Sequence, residues 1–83
     1  MMAPHADYEL DLGEQGCGQL VMELLFAMRE LVPGQTLLVT AYDPAAAGDI
    51  AAWCRMTGNI LVQVLPNRSG KQFLLQKGSS HLC

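Results

Sequence analysis

Apolar and acidic side chains alternate along Tyr8-Glu9-Leu10-Asp11-Leu12. A period of two suits a strand with one buried face. Gly13, Gly16 and Gly18 then break the pattern and mark a loop. From Gln19 to Val32 the period lengthens: Leu20 or Val21, Leu24, Met28 and Leu31 recur at spacings of three and four, the stripe of a helix lying on a core. Pro33-Gly34 fits the centre of a type II turn, because Pro presets one φ and Gly tolerates the positive one. Thr36–Tyr42 is rich in apolar and β-favouring residues and predicts a central strand. Asp43-Pro44 predicts a helix start, with Asp capping free amides and Pro at the first helical position. That helix would run over Pro44–Thr57 and stop at Gly58, with Gly48 inside it costing up to about 1 kcal/mol relative to alanine. Two more strands, Ile60–Leu65 and Gln72–Lys77, flank a hairpin loop at Pro66-Asn67-Arg68-Ser69-Gly70.

The resulting order is βαβαββ. Right-handed crossovers put both helices on one face of the sheet, so the expected fold is a two-layer α/β sandwich of the α+β kind: a four-stranded mixed sheet with two helices on one face. One domain over residues 8–77 would carry it, with short tails at 1–7 and 78–83. In the third strand Ile60, Val62 and Val64 are expected to face the helices. Leu61, Gln63 and Leu65 would then face outward beside Leu38, Leu74 and Gln76. Such an outer face is too apolar to stand in water, which calls for a partner or second subunit, or else for a different facing.

Composition narrows the function. The 83 residues are 51% hydrophobic and only 16% charged, against about 25% in an average soluble domain. That excludes intrinsic disorder, and the length excludes a cleft between two domains. The longest apolar stretch, Leu20–Met28, is broken by Glu23 and falls short of the roughly 20 residues a membrane span needs. Residues 1–10 lack the basic start and apolar stretch of a secretion signal, so a cytoplasmic location is expected, where thiols stay reduced. All eight acids lie in residues 1–50 with Arg29 as the one base, a formal −7; residues 51–83 hold Arg55, Arg68, Lys71 and Lys77 and no acid, a formal +4. Either the halves neutralise each other on folding or the polarity orients a partner protein. Four cations without interleaved aromatics are too thin a footprint for a nucleic-acid ligand.

Several stretches together resemble the TusA/SirA family of small sulfur-carrier proteins. They are Leu10-Asp11, Cys17, Val21-Met22-Glu23-Leu24, Pro33-Gly34-Gln35-Thr36-Leu37-Leu38-Val39, Asp43-Pro44-Ala45, Asp49-Ile50 and Trp53-Cys54. The resemblance spans roughly residues 8–77 and implies the same βαβαββ sandwich. It further implies that Cys17, six residues after Asp11, carries sulfur as a persulfide. The implied partners are a cysteine desulfurase and rhodanese-like or DsrE-like relay proteins, and no cofactor is implied. The family's Cys-Pro-x-Pro motif reads Cys17-Gly18-Gln19-Leu20 here, so both prolines are missing, and basic positions on the first helix have become Leu25 and Phe26.

The candidate chemistry therefore rests on Cys17. A helix start lowers a thiol's pKa, and Gly16 and Gly18 leave it open, while Glu14 opposes the thiolate. Cys54, beside Trp53 in the second helix, reads as a small core residue. Cys83 reads as a tail residue, with a resolving or handing-over thiol as the alternative. Three cysteines with His5 and His81 show no metal-ligand spacing. Two functions follow: a sulfur carrier (sulfurtransferase-like) using Cys17, or a non-catalytic interaction or regulatory module that kept the fold. Leu25 and Phe26 bear on the second, either as a wider buried stripe or as a surface for a partner or a homodimer.

Overall fold

The computed structural model describes residues 6–13, 17–66 and 70–78, the side chains of Cys17 and Gly18 excepted. Expectations about residues 67–69 of the hairpin loop, both chain ends, Glu14, Gly16, His5, His81 and Cys83 lie outside the described residues. The elements follow the expected order: β1 (Tyr8–Asp11), α1 (Cys17–Arg29), β2 (Thr36–Ala41), α2 (Ala46–Thr57), β3 (Ile60–Pro66) and β4 (Lys71–Gln76). The four strands form one mixed sheet in the order β1-β2-β4-β3. β1 runs parallel to β2, and β4 is antiparallel to both β2 and β3. β4, the last of the described strands, is therefore a central one.

Leu20, Leu24, Met28 and Leu31 are buried, as their spacing requires, and meet Leu37, Val39 and Ala41 of β2 with Phe73 and Leu75 of β4. Ala46, Ile50, Trp53 and Cys54 bring α2 into the same cluster. Removing each such leucine or isoleucine side chain from water contributes about 1.5–3 kcal/mol. This core lies between the helices and one sheet face.

Both helices end by identifiable means. The expected turn forms after α1: Gln35 N–H donates to the Val32 carbonyl at 3.0 Å across Pro33-Gly34, with Gly34 at φ 95°. The Lys77 ammonium donates to the Met28 carbonyl (3.0 Å), which also accepts from Leu31 N–H at 3.1 Å, and to the Leu31 carbonyl (2.7 Å) just past the helix end. Gly58 stops α2 in the left-handed region at φ 77°. Next to it, the buried Asn59 accepts from the Gly78 N–H at 3.0 Å and donates to the Thr57 hydroxyl at 2.8 Å. The close of β4 is thereby fastened to the ends of both helices.

Besides α1, which spans Cys17–Arg29 rather than Gln19–Val32, two expectations need correction. α2 begins at Ala46, not Pro44, and Ala45 at its start lies in the right-handed helical region without a side-chain cap. Asp43 uses its carboxylate one step earlier: it accepts from Ala45 N–H at 2.8 Å, and its carbonyl accepts from Ala46 N–H at 3.0 Å. Asp43-Pro44-Ala45 is thus a turn that delivers the chain to the helix. The second correction concerns β3. Leu61, not Ile60, aligns with the core residue Leu75 and packs against the core, while Ile60 is exposed. The pairing then slips between Leu61 and Gln63, so Val62 is an extra residue and Val64 comes to align with Phe73. On the far sheet face Leu38 and Leu74 pair with each other and are only 3% and 7% exposed. The centre of that face is therefore already out of water within one chain.

Candidate functional site

Parallel β1 and β2 each hand the chain to a helix, so the starts of α1 and α2 share the end of the sandwich where those two strands finish. Cys17 is the first residue of α1 and so belongs to this end. The coarse helical pattern begins at Gln19; the helix itself begins two residues earlier, where the family resemblance puts the cysteine. No acid stands in the first turn of α1, Cys17-Gly18-Gln19-Leu20.

The chain leading toward Cys17 is pinned at its base. Leu12 N–H donates to the Thr40 carbonyl at 2.8 Å, and Tyr42 N–H donates to the Gly13 carbonyl at 3.3 Å. Asp11 closes a small turn by accepting from Gly13 N–H at 2.9 Å, and Gly13 takes the positive φ of 62° that the turn requires. The second carboxylate oxygen of Asp11 accepts from the Tyr42 hydroxyl at 3.4 Å. Asp11 and Tyr42 thus tie the end of β1, six residues before the thiol position, to the end of β2. Tyr42 entered the sequence argument only as the end of a predicted strand; its role here depends on β1 and β2 being neighbours, which no local pattern reveals. Asp11 two residues before Gly13 is the one signal in the chain that pointed to this turn.

Gly70 closes the same end from β4. A side-chain carbon there would run into the Ala41 carbonyl and the Tyr42 ring, at 2.8 Å from the latter, so the backbones approach more closely than any other residue permits. Asp11, Asp43 and Asp49 bring negative charge to this end, and Lys71, aligned with Ala41, brings positive charge.

The second thiol is placed differently. Cys54 is buried in the core near the far end of α2, about two helical turns from the start of that helix. Its expected role as a core residue holds. Leu25 is half-buried, whereas Phe26 is 52% exposed and Met22, one turn earlier, is exposed too. Of the two readings weighed for this pair, Leu25 follows the widened stripe and Phe26 the free surface. Among the described residues no three His, Cys, Asp or Glu side chains gather as a metal site would need, and no helix is long and apolar enough to cross a membrane.

The described residues thus form a small four-stranded, two-helix sandwich whose first helix opens on a cysteine. The family model described as Sulfurtransferase TusA matches residues 8–77, and the chain belongs to this family. Its members are sulfur carriers that work in relay with partner proteins.

Proposed function

We propose that this chain holds sulfur as a persulfide on Cys17 and passes it between partner proteins. The observation that carries this reading is the position of Cys17, first residue of α1 in a chain that matches the sulfurtransferase family across nearly its whole length. A helix start offers unpaired N–H groups and a partial positive charge, which favour thiolate over thiol. The thiolate attacks the outer sulfur of a donor persulfide. A new S–S bond forms on Cys17, the donor's own S–S bond breaks, and the donor cysteine leaves as a thiolate. Delivery is the same exchange reversed: an acceptor thiolate takes the outer sulfur and Cys17 returns to a thiolate. The sulfur moves without net oxidation, so no cofactor or outside oxidant is required.

The donors that suit this exchange are a cysteine desulfurase or a rhodanese-like protein, and DsrE-like proteins suit the acceptor side; the setting is the reducing cytoplasm. The pinned base formed by Asp11, Gly13 and Tyr42 holds the start of the thiol segment. Gly18 replaces the first proline of the family motif, so more chain freedom is lost when a partner docks. The test is intact-mass measurement after incubation with a cysteine desulfurase and cysteine. A gain of one sulfur atom on the native chain, absent from Cys17→Ser, supports the proposal. No gain, while a standard carrier becomes loaded under the same conditions, refutes it.

A second reading has its own support in the exposed Met22 and Phe26 on α1. On that reading the domain binds partners without sulfur chemistry. Cells in which Cys17→Ala replaces the native residue separate the two: unchanged growth and sulfur modification favour the binding module, and their loss favours the carrier.

A further inference from the structure

Among the described residues the sheet order leaves β1 and β3 as edges without a further strand beside them, and they differ in chemistry. β1 and the residue before it carry Asp7, Glu9 and Asp11. Two copies joined through β1 would set these carboxylates against one another, which opposes pairing. β3 reads Ile60-Leu61-Val62-Gln63-Val64-Leu65-Pro66, seven residues without a charge. Ile60, Val62 and Val64 are 50%, 49% and 46% exposed along it. Free edges are ordinarily guarded by charge, bulges or proline. β3 has a bulge at Val62 and a proline at its last position, and no charge anywhere between.

We propose that β3 is a self-association edge, pairing antiparallel with β3 of a second copy of this chain. The charge pattern selects that occupant. A β3-to-β1 pairing would set acids against branched apolar side chains and, being head-to-tail, would not close. A β3-to-β3 pairing brings no charged strand residue to the seam and closes as a two-fold dimer. The axis stands normal to the sheet, giving eight continuous strands with all four helices on one face. Each α1 start then points away from its counterpart, so both Cys17 ends stay open to partners. Magnitude sets the strength. Seven residues at about 3.3 Å each give an edge roughly 23 Å long. Across a molecule 17 Å thick that is roughly 400 Å² a side. A standard stable interface buries about 800 Å² a side, so the dimer belongs to the weak, transient class.

Sedimentation velocity of the full chain under reducing conditions, over about 1–500 μM, is the test. The native chain is expected to shift from monomer to dimer across that range. Val64→Lys should weaken the dimer at least tenfold, roughly, by placing like charges at the seam, while Glu9→Lys on the other edge should leave it unchanged. A native chain that stays monomeric throughout overturns the proposal. So does a dimer that survives Val64→Lys, or one that dissolves on Phe26→Ser instead. Hydrogen exchange on the native chain gives a reading that needs no variant: β3 amides not bonded to β4 should exchange more slowly as concentration rises. Exchange that is independent of concentration refutes the pairing.

Discussion

Lys77 follows directly from the last strand, and its removal offers a quantitative test of how the sandwich is held together. In Lys77→Met the alkyl stem remains and the ammonium is lost. Two charge-assisted hydrogen bonds disappear, those to the carbonyls of Met28 and Leu31. Hydrogen bonds from a charged donor contribute about 1.5–3 kcal/mol each when fully enclosed. Lys77 is only half-buried, so water can re-enter and satisfy part of what is freed. The favourable field of a cation at a helix C-terminus adds about 0.3–1 kcal/mol. A net loss of about 1–2 kcal/mol is expected, after discounting both bonds for solvent access. For a domain of this size that lowers Tm by roughly 4–15 °C. Urea unfolding of the two proteins, followed by far-UV circular dichroism, measures the difference as a change in midpoint at constant slope. Lys77→Arg should recover part of the loss, since it keeps the charge. A Lys77→Met protein within about 0.3 kcal/mol of the native one would show that the ammonium is hydrated and that α1 ends without its help.

Three further outcomes follow from backbone geometry and the site. Gly48→Ala should stabilise the domain by about 0.5–1 kcal/mol, because the position is helical and exposed and a side-chain carbon there meets nothing within 4 Å; thermal unfolding measures it. Gly58→Ala should cost about 1 kcal/mol, since alanine pays a steric penalty at φ 77°; a midpoint equal to native would contradict the left-handed stop. Asp11→Ala should cost about 0.5–1.5 kcal/mol and speed limited proteolysis in the segment between β1 and α1, and unaltered cleavage would show that the Gly13 and Tyr42 contacts do not hold that segment.

What could be read from the residues, and what could not, divides along the range of the interactions involved. The Pro33-Gly34 turn, the Gly58 stop and the stripe Leu20, Leu24, Met28, Leu31 each rest on neighbours in the chain, and each has the expected form. The start of α2 was missed by two residues because an Asp-Pro pair serves equally well as a cap and as a turn, and here Asp43 bonds Ala45 first. The facing of β3 was reversed at Ile60 and Leu61 because a bulge moves the register without changing composition. Ile, Leu and Val on both sides of Val62 leave no polar marker of the slip. The glycine break put the start of α1 at Gln19, two residues late, and only the family pattern placed Cys17 at the helix start. The ties beneath it, Asp11 to Tyr42 and Gly13 to Tyr42, join residues about thirty apart in the chain and become visible only once the strands are paired.

The placement of β4 between β2 and β3 bears on how the molecule comes into being on the ribosome. Synthesis is vectorial, so β1, α1, β2, α2 and β3 emerge before the strand that joins them. Until Lys71–Gln76 leaves the exit tunnel, β2 and β3 each present an unsatisfied flank, and Phe73 and Leu75 are missing from the nucleus that both helices require. The core cannot close before β4 is available, since Phe73 and Leu75 belong to it. A translation product that stops short of Lys71 is left as a substrate for chaperones and proteases.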